Sequence, residues 1–139
     1  MKFLVFFAFL FGSVSAFSSP VEGEIFYKKK SGDVARRAVT LEVPSRGQGE
    51  VVLSGERFEW RTESFWSTFE NGQVFFTAVF ETEFMGMTST IAFRGTYLKG
   101  NNEIIYSGNF YKKDGHGEYD RDLTGFDYNG GFNFSYIRN

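Results

Sequence analysis

The sequence predicts an all-β chain, an antiparallel up-and-down meander of eight or nine strands closed into a barrel, with a two-sheet β-sandwich as the alternative. Three observations predict it. Glycines recur in turn chemistry at Gly72, Gly86, Gly100, Gly115 and Gly130, at gaps of 14 or 15 residues. The stretches between them, about ten residues each, are rich in Phe, Tyr, Ile, Val and Thr and alternate in polarity, which is the pattern of half-buried strands. Finally, a sheet of eight or more short-looped strands leaves two edges open to aggregation unless it closes on itself.

The elements follow in chain order. Residues 1–16, MKFLVFFAFLFGSVSA, carry Lys2, an apolar run from Phe3 to Phe11, and small residues at Val14-Ser15-Ala16. This is the pattern of a secretory signal peptide cleaved before Phe17, leaving one domain over residues 17–139. The apolar run is shorter than the ~20 residues that a membrane-spanning helix needs. Residues 21–30 and 34–43 read as strands around a Ser31-Gly32-Asp33 turn, and residues 44–49 as a longer loop. Residues 50–54 read as a short strand with Gly55 as a turn or bulge. Residues 57–70 read as one long, bent strand, because Asn71-Gly72 asks for a hairpin after it. Residues 74–84, 89–97, 104–110, 118–127 and 132–136 complete the meander.

At eight strands a barrel interior admits side chains or one small ligand. The architecture expected is therefore lipocalin-like. The likeness is one of architecture alone: the Gly-x-Trp signature of lipocalins is absent, since Gly23 is followed by Glu24-Ile25.

Charge and composition exclude several function classes. Past residue 16 there are 14 basic and 17 acidic residues and no basic patch, so nucleic acid is not an expected partner. Lys28-Lys29-Lys30 reads as a solvated strand end. With no cysteine, stability has to come from packing, which 14 Phe, 7 Tyr and 2 Trp past residue 16 can supply. A secreted or periplasmic location is expected, with the outer membrane as the alternative.

A membrane barrel needs one charge-free face on every strand. Val74, Phe76, Ala78, Phe80 and Phe84 offer one; Ser89, Ile91, Phe93, Gly95 and Tyr97 another. Ile104, Tyr106, Gly108 and Phe110 offer a third, and Phe132, Phe134 and Tyr136 a fourth. Residues 118–127, with Glu118, Asp120 and Asp122 on one face and Arg121 and Asp127 on the other, fit lipid on neither. Membrane insertion is therefore not expected, and the clean rows are expected to face inward.

No catalytic constellation is found. His116, the single histidine, lies between two glycines with no neighbour in sequence to orient it. Asp114, Glu118, Asp120 and Asp122 lack calcium-loop spacing. Glu81 and Glu83 read as the point where a strand leaves the core, and Glu59, Arg61 and Glu63 as exterior ion-pairing groups. The expectation is a non-enzyme with no metal and no cofactor. Its interior is lined by Trp60, Phe76, Ala78, Phe80, Ile91, Phe93, Gly95, Tyr97, Tyr106 and Phe110. Small residues among the aromatics are expected to leave room for a small apolar or amphipathic ligand. The alternative is a cell-envelope interaction protein working through loops 44–49 and 112–117. If Trp66 or Tyr111 is exposed, sugar stacking becomes a further option.

Overall fold

The computed structural model describes residues 20–44, 49–100 and 102–137. The expected signal peptide and loop residues 45–48 lie outside them, as do the side chains of Phe84 and Tyr136. The strands are β1 (Val21–Lys28), β2 (Val34–Glu42), β3 (Val51–Ser54), β4 (Glu59–Thr62), β5 (Phe65–Glu70), β6 (Gln73–Phe84), β7 (Met87–Lys99), β8 (Glu103–Asp114) and β9 (Asp127–Ile137). They form one antiparallel sheet in the order β4-β3-β2-β1-β9-β8-β7-β6-β5. Neighbours in the sheet are neighbours in the chain, except that β1 pairs with β9 and joins the two ends of the meander. The sheet is a nearly closed barrel, and the chain is all-β as expected.

Closure depends on one bent strand. β4 and β5, the two ends of the sheet order, are separated in the chain only by Glu63 and Ser64. The first half pairs with β3 and the second with β6. At the bend, Thr62 Oγ1 accepts from the Ser64 N–H at 3.0 Å, and the Ser64 carbonyl accepts from the Val79 N–H at 2.9 Å. The two edges thus belong to one continuous stretch of chain, and nine segments make eight wall passes.

Turn chemistry sets the register. Asn71 and Gly72 both have positive φ (51° and 78°), as do Met85 and Gly86 (52° and 79°), the conformation of two-residue hairpins that match strand twist. Inside, Phe93 is the hub: its ring centroid lies 5.1 Å from that of Phe110, 5.4 Å from Phe132 and 5.8 Å from Phe80. Phe76, Phe80, Phe93 and Phe110 all belong to this water-excluded core.

One expected strand is absent. Residues 118–127 were expected to form one because Gly115 and Gly130 both read as turns. Instead β8 leads through Gly115 into a long loop, and β9 begins at Asp127. Gly130 lies inside β9, paired with Tyr27 on one side and Phe110 on the other. A β-carbon there would fall 2.3 Å from the Phe26 carbonyl oxygen and 2.7 Å from the Phe110 ring. This glycine permits a close approach of strands and turns nothing.

The long loop lies on the outside of the barrel. Leu123 buries itself with Val79 and Ala92 from the outer faces of β6 and β7, flanked by Trp66, Tyr111, Tyr119 and Phe126. Leu123 has φ 63°, between a bond to Asp120 O and one from the Phe126 N–H. Polar ties hold the rest. Arg94 donates to Thr77 Oγ1 at 3.0 Å and to the Arg121 carbonyl. Thr90 Oγ1 donates to the Gly115 carbonyl at 2.7 Å.

Candidate functional site

β3 is four residues long and pairs with β2 only through Thr40, Leu41 and Glu42. Among the described residues, the rest of that β2 edge has no strand partner. The chain instead turns back at residues 55–58, closed by a Gly55 N–H to Phe58 O bond of 2.9 Å. A slot therefore opens in the barrel wall between β2 and this turn. It leads to a pocket of about 1110 Å³. Consecutive β2 residues, Arg37 to Val39, line the slot because the free strand edge itself forms its rim, up to Thr40 where pairing with β3 begins.

The pocket walls come from inward rows of distant strands. β1 supplies Gly23, Ile25 and Tyr27; β2 supplies Val39; β7 and β8 supply Ile91, Phe93 and Phe110 from the opposite side. Phe58 and Trp60 form the turn-side wall, with ring centroids 4.7 Å apart, and Trp60 continues to Phe80 at 6.1 Å. Gly55 lets the Phe58 ring fold against the turn, since a β-carbon there would fall 2.4 Å from it. A bulge between Phe110 and Tyr111 shifts the β8–β9 register and sets Asn129 on the pocket wall. A large, mostly apolar concavity with a few polar groups at its rim is the usual form of a small-molecule site.

Of the expected lining, Trp60, Ile91, Phe93 and Phe110 reach this pocket. Phe76, Ala78, Phe80 and Tyr106 are buried in the packed part of the barrel, with Tyr97 against Tyr106 at 4.9 Å between centroids. Gly95 does not leave a gap. It pairs directly with Gly108, and a β-carbon on Gly108 would fall 2.4 Å from the Gly95 Cα. Ala78 lies between Phe65 and Phe93 on the neighbouring strands. The small residues thus serve close strand approach and large-against-small packing, and the opening arises from a short strand. Ile25, Tyr27, Arg37 and Val39 were not expected in the lining. The alternation of residues 21–28 and 34–42 carries their signal.

Arg37 is unusual in its row. Ala35, Val39 and Leu41, on the same alternation of β2, are all buried, and Arg37 stands directly across from Ile25. Its guanidinium donates to the Arg36 carbonyl at 2.9 Å. Among the described residues, neither Arg37 nor Arg57 has a carboxylate within ion-pair distance, whereas Arg36 pairs with Glu24 and Arg61 with Glu50 and Glu59. Tyr106 lies deeper. Burial, and then the neighbouring Tyr97, push its hydroxyl well above the usual tyrosine range.

The other candidates are held in place by neighbours. His116 Nδ1 stands 4.0 Å from Glu81 on the exterior. Loop 112–117 is anchored to β7 by the Gly115 N–H to Thr88 O bond of 2.9 Å. Trp66 is half-buried, stacked on Tyr119 at 6.4 Å with the Arg121 guanidinium 4.7 Å over its ring. A second, polar concavity of about 400 Å³ lies at the β4–β5 bend between Glu50, Arg61, Glu63 and Glu81. Among the described residues no group of three His, Cys, Asp or Glu side chains is placed to hold a metal ion. Comparisons of the chain with protein-family models, with curated proteins and with solved structures find no match.

Proposed function

We propose that this chain is an exported, soluble, non-catalytic barrel that takes a small apolar or amphipathic molecule through the β2 slot into its interior. The observation that carries this reading is the pocket of about 1110 Å³ floored by Ile25, Ile91, Phe93 and Phe110. Moving an apolar guest from water onto such an apolar floor is favourable by about 25 cal/mol per Å² of apolar area removed from water.

Water on the outside is favoured by the exterior charges. Glu24 and Arg36 pair across the outer faces of β1 and β2, and the charged loop between β8 and β9 covers the outside of β6 and β7. An Arg facing lipid at mid-membrane costs about 2–4 kcal/mol.

Titration with a neutral, polarity-sensitive dye tests the reading. The dye is expected to bind one-to-one and to gain fluorescence. Ile25→Trp, which fills the pocket from its floor, is expected to abolish binding while the circular dichroism stays that of the parent. Absence of binding, or binding that survives a folded Ile25→Trp variant, would sink it.

A further inference from the structure

We propose that the pocket selects an amphipathic guest with an anionic head, a long-chain carboxylate, and that Arg37 holds the head at the slot. The inference rests on the pocket reading above and adds the ligand's charge and orientation.

The observations concern one alternation. Among the inward-row residues that line the pocket, Arg37 alone carries a charge; its companions are glycine, aliphatic or aromatic. The pocket thus has a wet, cationic end at the slot and a dry, aromatic end at Phe93 and Phe110. A molecule matching both ends needs a polar group at one terminus and an apolar body. Arg57, on the turn that forms the other side of the slot, adds a second cation with no ion pair among the described residues. Two acidic groups also reach the rim. Glu22 lies on the outward alternation of β1 beside Glu24, and Glu56 stands exposed on the 55–58 turn. Lys112, the next inward position after Phe110, stands across from Ile91 on one side and Asp127 on the other. Of the charged groups that line the pocket, Arg37 is the one on an inward alternation, and its side chain is exposed at the rim.

The geometry suits the chemistry. A guanidinium presents a planar fork of donors that meets a carboxylate with two parallel bonds. Among the described residues, Arg37 spends one donor, on the Arg36 carbonyl. It stands across from Ile25 in the strand register and is itself exposed, so its head lies on the water side of the apolar wall. A charge-assisted bond at such a boundary is expected to strengthen binding roughly tenfold.

The test compares parinaric acid, a fluorescent long-chain carboxylate, with its methyl ester, which has the same chain and no charge. The parent protein is expected to bind the acid about tenfold more tightly than the ester. In Arg37→Gln the two should bind within about twofold of each other, because the acid loses its advantage; Arg37→Lys should restore part of the preference. Equal binding of acid and ester by the parent would overturn the proposal and leave the pocket reading standing. So would a preference that survives Arg37→Gln, or binding of the neutral dye without the acid. If acid, ester and dye all fail to bind, both readings fall together.

Discussion

The Val79 N–H donates to the Ser64 carbonyl across 2.9 Å, and this bond fastens the bend between β4 and β5 to β6. A sheet whose ends are two halves of one strand needs such a tie, or the halves would splay and expose both edges. The Val79 side chain is buried beneath Leu123 on the outer face, so water has little access to the bond. Native-state hydrogen exchange should find the Val79 amide as protected as its neighbours in the β6–β7 ladder. Exchange at the rate of the exposed turn amides would mean that the two edges merely adjoin.

Gly130→Ala is expected to destabilise the barrel by about 3 kcal/mol, at the upper end of overpacking costs. The added methyl would meet backbone on one side, the Phe26 carbonyl oxygen at 2.3 Å, and a core ring on the other, Phe110 at 2.7 Å. Backbone in a paired strand cannot step aside as a flexible side chain can. Denaturant unfolding of the variant measures the loss; a change below about 1 kcal/mol would show that the β1–β9 seam yields more than this packing implies.

Met85→Asn is expected to stabilise the protein by about 0.5–1 kcal/mol. Met85 sits at φ 52° in the β6–β7 hairpin and is 85 % exposed, so it strains the backbone without contributing core packing. Asparagine tolerates that conformation and already serves in the equivalent position of the preceding hairpin, at Asn71. Thermal unfolding should shift upward for Met85→Asn and downward for Met85→Val, whose branched β-carbon is ill-suited to positive φ.

Stability should fall as pH rises above about 10, the ordinary tyrosine value. Burial holds the Tyr106 proton more tightly in the folded chain than in the unfolded one. Below that pH both states keep the proton and the contribution is constant. Above it the unfolded state loses the proton first, so unfolding gains. The denaturant midpoint, followed against pH, should decline less steeply in Tyr106→Phe than in the parent. Equal slopes would assign the alkaline loss to other groups.

Much of the barrel was legible before any coordinate. Asn71-Gly72 and Met85-Gly86 announce hairpins because positive φ is a local property of a few residues. The inward rows through Phe76, Phe80, Phe93 and Phe110 are legible because side chains alternate strictly along a strand. That residues 57–70 run as strand followed from the hairpin after them. The candidate site was legible only in part: Trp60, Ile91, Phe93 and Phe110 were named from their rows, while Arg37 and Ile25 were not.

By itself, then, the sequence determined the all-β class, the hairpins at Asn71-Gly72 and Met85-Gly86 and the inward rows of β6, β7 and β8, since these follow from interactions within a few residues. The tertiary structure alone decided three things. Gly130 became a point of contact between strands where its local pattern reads as a turn. Residues 118–126 became an exterior cover because Leu123 finds its apolar partners, Ala92 and Val79, 31 and 44 residues back in the chain. The pocket opened beside Arg37 because β3 ends after four residues, leaving the neighbouring strand edge without a mate. Each depends on which residues the closed sheet sets across from one another, and that pairing exists only once the barrel has formed.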